Sequence, residues 1–230
     1  VDEAGDTVQA WELPPVRADW PTTQWHPDDL WRGLHVLRLP GALESGTYTW
    51  QVSVIETQHP GSGAGAADQA LVDLGHLRIN SPERLWQAPP LEYTLDADLG
   101  GRVRFLGANL EPGTAAAVGL EAGATFTATL AWQGLEEMET SYRVFLHLLD
   151  NKGNLWAQSD GEPAGWSRPT TGWAPGEVVL DTRALEIPAD APPGSYTLVA
   201  GLYDLQAAER LALPNGTTSV LITTVNITEP

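Results

Sequence analysis

The sequence predicts an all-β protein made of antiparallel, immunoglobulin-like β-sandwiches in tandem, the first copy incomplete. Three observations carry this. The stretch Pro169 to Asp204 (PTTGWAPGEVVLDTRALEIPADAPPGSYTLVAGLYD) repeats an earlier one, Pro21 to Glu56 (PTTQWHPDDLWRGLHVLRLPGALESGTYTWQVSVIE), at an offset of 148 residues with 10 of 36 positions identical. Apolar residues alternate with polar ones over short runs, the period of a half-buried strand. The 23 glycines and 18 prolines are dispersed at turn spacing, as short strands require.

The repeat extends beyond these stretches. Residues 1–79 correspond to 149–227, and the first copy has no counterpart of 100–148. The expected plan is a partial sandwich over 1–80 that lacks its first strands, a linker over 81–98, and a complete sandwich over 99–230. In the second copy, seven strands are expected at about 102–110, 124–133, 142–149, 154–159, 177–187, 195–204 and 218–227. Phe126, Ala128, Leu130 and Trp132 share one face; so do Tyr142, Val144, Leu146 and Leu148, and Tyr196, Leu198, Ala200 and Leu202. Asn151-Lys152-Gly153 supplies a hairpin turn. Seven short strands in this length match an immunoglobulin-like sandwich without its cysteine pair. The first copy retains four strands, at about 7–12, 31–39, 47–56 and 70–79. Four strands leave apolar faces and edges open, so the missing strands are expected from upstream sequence, the second domain or a partner. Three prolines at 82, 89 and 90 mark the stretch 81–98 as semi-rigid linker.

Charge narrows the function. Thirty acidic against 12 basic residues give −18, with no basic stripe to neutralise phosphates, which excludes a nucleic-acid partner. The same balance argues against docking on anionic lipid. The absence of cysteine removes disulfides, thiolate metal sites and a cysteine nucleophile. No apolar run reaches the ~18 residues of a membrane span, so no membrane contact by this segment is expected. The chain opens at Val1 without a signal peptide, which reads as a mature product or a piece of a longer chain.

No catalytic constellation emerges. The five histidines (26, 35, 59, 76 and 147) form neither HxH nor HExxH, and His147 beside Phe145 reads as a packed or hydrogen-bonded side chain. Gly61 to Ala66 fits G-x-G-x-x-A superficially, but the strand expected at Leu71 leaves no room for a helix, so the loop is a hairpin and no cofactor is implied. Asp28-Asp29 and Glu136-Glu137-Glu139 are loop carboxylates; glycosidase chemistry would need a pair across a cleft. Asp150, Asn151, Asn154 and Asp160 flank a hairpin whose turn explains them without Ca²⁺. Asn215 and Asn226 open N-x-T sequons. Among ten tryptophans, Trp25 and Trp173 recur at one repeat position and read as core or corner plugs. Trp20 and Trp166 have non-aromatic repeat partners, Arg168 and Ala18. Exposed aromatics on sandwich loops stack on the apolar faces of pyranose rings, which makes Trp20 and Trp166 the ligand-binding candidates, with a glycan as the ligand; the competing reading is local packing beneath a proline-rich loop.

The run containing RVRFLGANLEPG, ATFTATLAWQGLEEMETSYRVFLHLLDNKGNLWAQSDGEP, RPTTGWAPGEVVLD and PPGSYTLVAGLYD resembles the tandem C-terminal, extracytoplasmic β-sandwich modules of large bacterial membrane proteins of the Chloroflexus type. Many of these are multi-span glycosyltransferases similar to protein O-mannosyltransferases. The resemblance implies a non-catalytic region on the outer side of a bacterial membrane, accessory to a glycosyltransferase-like protein and holding glycan or acceptor. That family's catalytic acids lie in its membrane part, so none is carried onto this chain. The alternative is a structural, adhesion or assembly module that binds a strand-donating partner, or itself, through residues 1–80. A small hydrolase ranks last.

Overall fold

A computed structural model of the chain describes residues 1–55, 71–111 and 119–228. It divides into two compact units, Val1–Pro82 and Glu83–Pro230.

The second unit is an all-β sandwich. One sheet orders β3 (Tyr93–Leu99), β4 (Val103–Glu111), β6 (Thr125–Gly134) and β9 (Val178–Glu186). The other orders β5 (Leu120–Glu121), β12 (Val220–Thr228), β10 (Gly194–Asp204), β7 (Tyr142–Leu149) and β8 (Leu155–Gly161), with β11 (Glu209–Arg210) on β10. All ladders are antiparallel except the short β5–β12 pair. Alternation places Phe105, Phe126, Leu130 and Trp132 from one sheet against Val144, Leu146, Leu198 and Leu202 from the other, all buried in one core. The seven expected strands appear within two residues of their expected ends, joined by β3, β5 and β11.

Two arginine–carboxylate groups reinforce this unit. Glu177, buried to 0% exposure, accepts from Arg84, Arg168 and the Ala174 amide. Asp181, also at 0%, pairs with Arg183 at 2.6 Å. Arg183 reaches from β9 to the Ser159 and Gly161 carbonyls of β8, at 3.3 and 2.9 Å, closing one side of the sandwich. Polar groups this deep are tolerated only when paired and hydrogen-bonded.

The stretch expected as linker needs correction. Tyr93–Leu99 is β3, in register with β4 from Tyr93↔Ala108 to Leu99↔Val103. Upstream, Leu85 bridges Val178, and Arg84 reaches Glu177 and the Gly172 carbonyl. Tyr93, Leu95, Ala97 and Leu99 alternate with polar residues, a strand period that the preceding prolines obscured.

Among the described residues of the first unit only β1 (Gly46–Val52) and β2 (Val72–Ile79) form a ladder, from Gly46↔Ile79 to Val52↔Val72. The expected strands at 7–12 and 31–39 are absent among the described residues. The reason lies in pairing. Residues 31–39 correspond to β9, whose partner β6 has no counterpart in the first copy; residues 7–12 correspond to β8, whose partner is β7. A strand without a ladder partner leaves its backbone unsatisfied. β1 and β2, the counterparts of β10 and β12, pair with each other and so persist.

Local geometry repeats faithfully where both partners exist. A 3₁₀ turn occurs at Thr22–Gln24 and again at Thr170–Gly172, each between the repeated Pro and Trp. The bulge between Trp50 and Gln51 in β1–β2 recurs between Leu198 and Val199 in β10–β12. Tyr48 donates its hydroxyl to the Glu44 carbonyl at 3.0 Å, and Tyr196 to Pro192 at 2.8 Å. This tyrosine corner ties a strand to the chain four residues upstream.

Candidate functional site

The outward face of the β8–β7–β10 sheet departs from the usual solvated pattern. Inward positions of β7 are Tyr142, Val144, Leu146 and Leu148; the outward ones are Arg143, Phe145 and His147. A phenylalanine facing outward needs cover. Phe145 sits opposite Gly201 of β10; a Cβ at that glycine would lie 2.5 Å from the ring's Cζ, so only glycine lets the ring lie there. Arg210 covers the ring at 4.2 Å, with the His147 ring at 4.7 Å and Tyr203 at 6.4 Å. Phe145 is thereby fully buried although it faces away from the core. Phe145, Asp160, Tyr203, Leu205, Ala208 and Arg210 line a shallow open cavity of about 280 Å³.

Trp166 adjoins this face. It is 60% exposed, and the Arg143 guanidinium stands 5.0 Å from its ring centroid. Its loop is strained: Ala164, Gly165 and Trp166 all have positive φ (51°, 59° and 72°). Left-handed backbone costs roughly 1–2 kcal/mol at each non-glycine residue. The loop is held from below, where the Ala164 amide donates to buried Asp181 at 2.8 Å. Ser167 closes it, donating from Oγ to the Ala164 carbonyl at 2.7 Å. Beside it Ser141 donates to Glu162 at 3.2 Å. A large aromatic ring is thus pushed into solvent by a loop anchored on a buried ion pair, beside an aromatic depression edged with guanidinium groups. Such a surface can stack a sugar ring and offer donors to its hydroxyls.

Two groups on these elements titrate unusually. Burial lowers the His147 pKa below its ordinary value; Asp160, 3.2 Å away, opposes this, and Arg210 adds to it. Burial raises the Asp181 carboxyl, against the pull of Arg183.

Trp20 lies in the first unit, half-buried, edge-on to Trp31 at 5.5 Å. Trp25 stands 6.5 Å from Trp31, while its counterpart Trp173 is fully buried and donates to the Arg168 carbonyl at 2.9 Å. The two candidate tryptophans therefore belong to different units, Trp20 beside Trp31 and Trp25, and Trp166 beside Arg143. Tyr203 and Arg210 were not singled out in the sequence, and Asp160 and Phe145 were noted there only as a hairpin carboxylate and as the neighbour of His147. The available signal was Phe145 at an outward position of a strand whose inward positions were already apolar.

Other candidates serve turns and surface pairs. Asp150 Oδ1 accepts from the Lys152 and Asn154 amides, both at 2.8 Å, and Oδ2 from Asn154 Nδ2 and Trp156 Nε1. Its carboxyl is held at about 2, chiefly by the Asn154 side chain. Asp29 accepts from the His26 amide, and Glu136 pairs with Arg102. Gly61 to Ala66 lie outside the described residues. Among the described residues no group of three or more His, Cys, Asp or Glu is placed to hold a metal ion. No helix among them is long and apolar enough to cross a membrane.

No protein-family model matches the chain, and no curated protein does. Among solved structures it is similar to the C-terminal domain of Wzt, at 11% identity and TM-score 0.41 over 61% of this chain and 83% of that one. A β-glucuronidase of glycoside hydrolase family 2 matches at 16% identity and TM-score 0.32, over 52% of this chain and 10% of that one. The CARDB domain of the PF1109 protein from Pyrococcus furiosus matches at 12% identity and TM-score 0.31, over 64% of this chain and 100% of that one. At this level of similarity no functional statement follows.

Proposed function

We propose that this chain is a non-catalytic, extracytoplasmic β-sandwich region of a larger bacterial membrane protein of the glycosyltransferase type, and that it holds a glycan or glycan acceptor. The ligand lies on the outer face of β7, β8 and β10. The supporting observation is Trp166, exposed on three consecutive left-handed residues and anchored through Ala164 to the buried Asp181–Arg183 pair. Backbone strain retained over such an anchor is most often a feature of binding and catalytic surfaces. Trp166 supplies the stacking face, and Arg143, Tyr203 and Arg210 supply donors around it. Parent protein and location rest on the sequence resemblance; the binding face rests on this geometry.

A glycan array probed with the whole chain tests the proposal. Binding of at least one glycan class is expected, with Trp166→Ala weakening it by ~10-fold or more, as loss of a central aromatic contact does. Absence of binding across the array, or binding unchanged in Trp166→Ala, overturns it.

A further inference from the structure

The first unit carries an edge whose occupant can be read from the second. In the second unit β10 is flanked by β12 on one side and β7 on the other. In the first, β1 has β2 on the side corresponding to β12, in the same register and with the same bulge. On the other side a single residue is in place among the described residues. The Val1 and Thr49 backbones exchange both hydrogen bonds, at 2.9 Å each. Their counterparts are Leu149 and Thr197, the last pair of the β7–β10 ladder. The turn that follows is also reproduced. Asp2 Oδ1 accepts from the Ala4 and Asp6 amides at 3.0 and 2.8 Å, as Asp150 does from Lys152 and Asn154. Val1 therefore occupies the final position of a β7-like strand.

Beyond that pair no ladder partner lies on this side of β1 among the described residues. Antiparallel pairing alternates, so a residue two along from a hydrogen-bonded pair is again hydrogen-bonded. Val199↔His147, Gly201↔Phe145 and Tyr203↔Arg143 continue the register in the second unit. Their counterparts in the first are Gln51, Ser53 and Ile55, for which no backbone partner appears on this side among the described residues. The apolar face is uncovered with them. Val52 is 45% and Val54 82% exposed, whereas the matching Ala200 and Leu202 are at 0%.

We propose that the open edge of β1 seats one antiparallel strand of β7's chemistry, in the register set by Val1–Thr49. The strand is the polypeptide that runs into Val1. It carries large apolar residues one, three and five positions before Val1, as Leu148, Leu146 and Val144 stand before Leu149. The β7 of a second copy is not available for the seat, because β8 and β10 already flank it. Backbone pairing supplies the attachment and the alternate pockets supply the selectivity, the mode of strand addition to an exposed sheet edge.

The test grafts residues 83–148 of this chain directly before Val1 of the full chain and follows amide exchange by NMR. Exchange at Gln51 and Ser53 is expected to slow by ~100-fold, as amides drawn into a cooperative ladder do. Leu146→Lys in the grafted segment should abolish the protection while the second unit keeps its own. A second experiment adds a peptide of residues 140–149 to the ungrafted chain, where protection of the same amides is also expected. Unchanged exchange at Gln51 and Ser53 in both experiments overturns the seat. Protection by the free peptide and none by the graft overturns delivery through Val1.

Discussion

Trp25 and Trp173 occupy one repeat position in two environments, so their truncation measures what the missing strands contribute. Trp173 is at 0% exposure in the core and donates from Nε1 at 2.9 Å to the Arg168 carbonyl. Burying a tryptophan removes ~200 Å² from water; at ~25 cal/mol per Å² this is ~5 kcal/mol. The hydrogen bond adds ~1 kcal/mol, and the neighbourhood relaxes in part around the cavity, so Trp173→Ala should cost ~3–5 kcal/mol. Trp25 is only half-buried, and its Nε1 has no hydrogen-bond partner among the described residues. Trp25→Ala should therefore cost ~1 kcal/mol, in proportion to its smaller burial. Urea denaturation of the whole chain, followed by far-UV circular dichroism, gives both values. Equal costs for the two substitutions, or a cost below ~1 kcal/mol for Trp173→Ala, would refute the argument that the second copy is a closed core and the first an open one.

Glu177→Ala should cost ~3–5 kcal/mol in the same assay, because it removes the buried carboxylate that Arg84 and Arg168 share. For His147 the pKa is lowered in the folded state, so the unfolded chain binds more protons: stability is full above pH 6.5 and is lost as pH falls below that value. His147→Gln should flatten the dependence of the urea midpoint on pH between about 5 and 7. For Asp150 the folded pKa of about 2 lies below the ordinary 3.8, so its contribution is present above pH 3.8 and is lost as pH falls toward 2; Asp150→Asn should reduce acid sensitivity in that range, measured by circular dichroism. Gly201→Ala places a methyl group against the Phe145 ring, and should cost ~1–3 kcal/mol by overpacking and weaken glycan binding on the array.

The strands of the second unit were legible because each strong one alternates cleanly and is bounded by turn residues. β6 shows this with Phe126, Ala128, Leu130 and Trp132. β3 was hidden by the prolines before it, although Tyr93, Leu95, Ala97 and Leu99 keep the period. Residues 31–39 show the opposite failure. The local sequence Trp31 to Leu39 suits a strand, but strandhood depends on a partner at the far end of a ladder, and that information is not local. The repeat was the strongest sequence signal because it reports pairing indirectly: β1 and β2 persist as their counterparts pair. The candidate face was legible only in part. Trp166 was marked by its non-aromatic repeat partner. Phe145, Tyr203, Asp160 and Arg210 lie far apart in sequence on β7, β10, β8 and β11, and only sheet order brings them together. The anchor of the Trp166 loop, Asp181 on β9, was equally out of reach, since nothing local couples it to Ala164.

The most direct test of the proposed face is an NMR titration of the isotope-labelled whole chain with a glycan selected on the array. Shift changes are expected at the Trp166 indole and at Arg143, Tyr203 and Arg210, lost in Trp166→Ala while the remaining spectrum is unchanged. Shifts centred on Trp20 and Trp31, or a ligand that binds without moving the Trp166 indole, would contradict it.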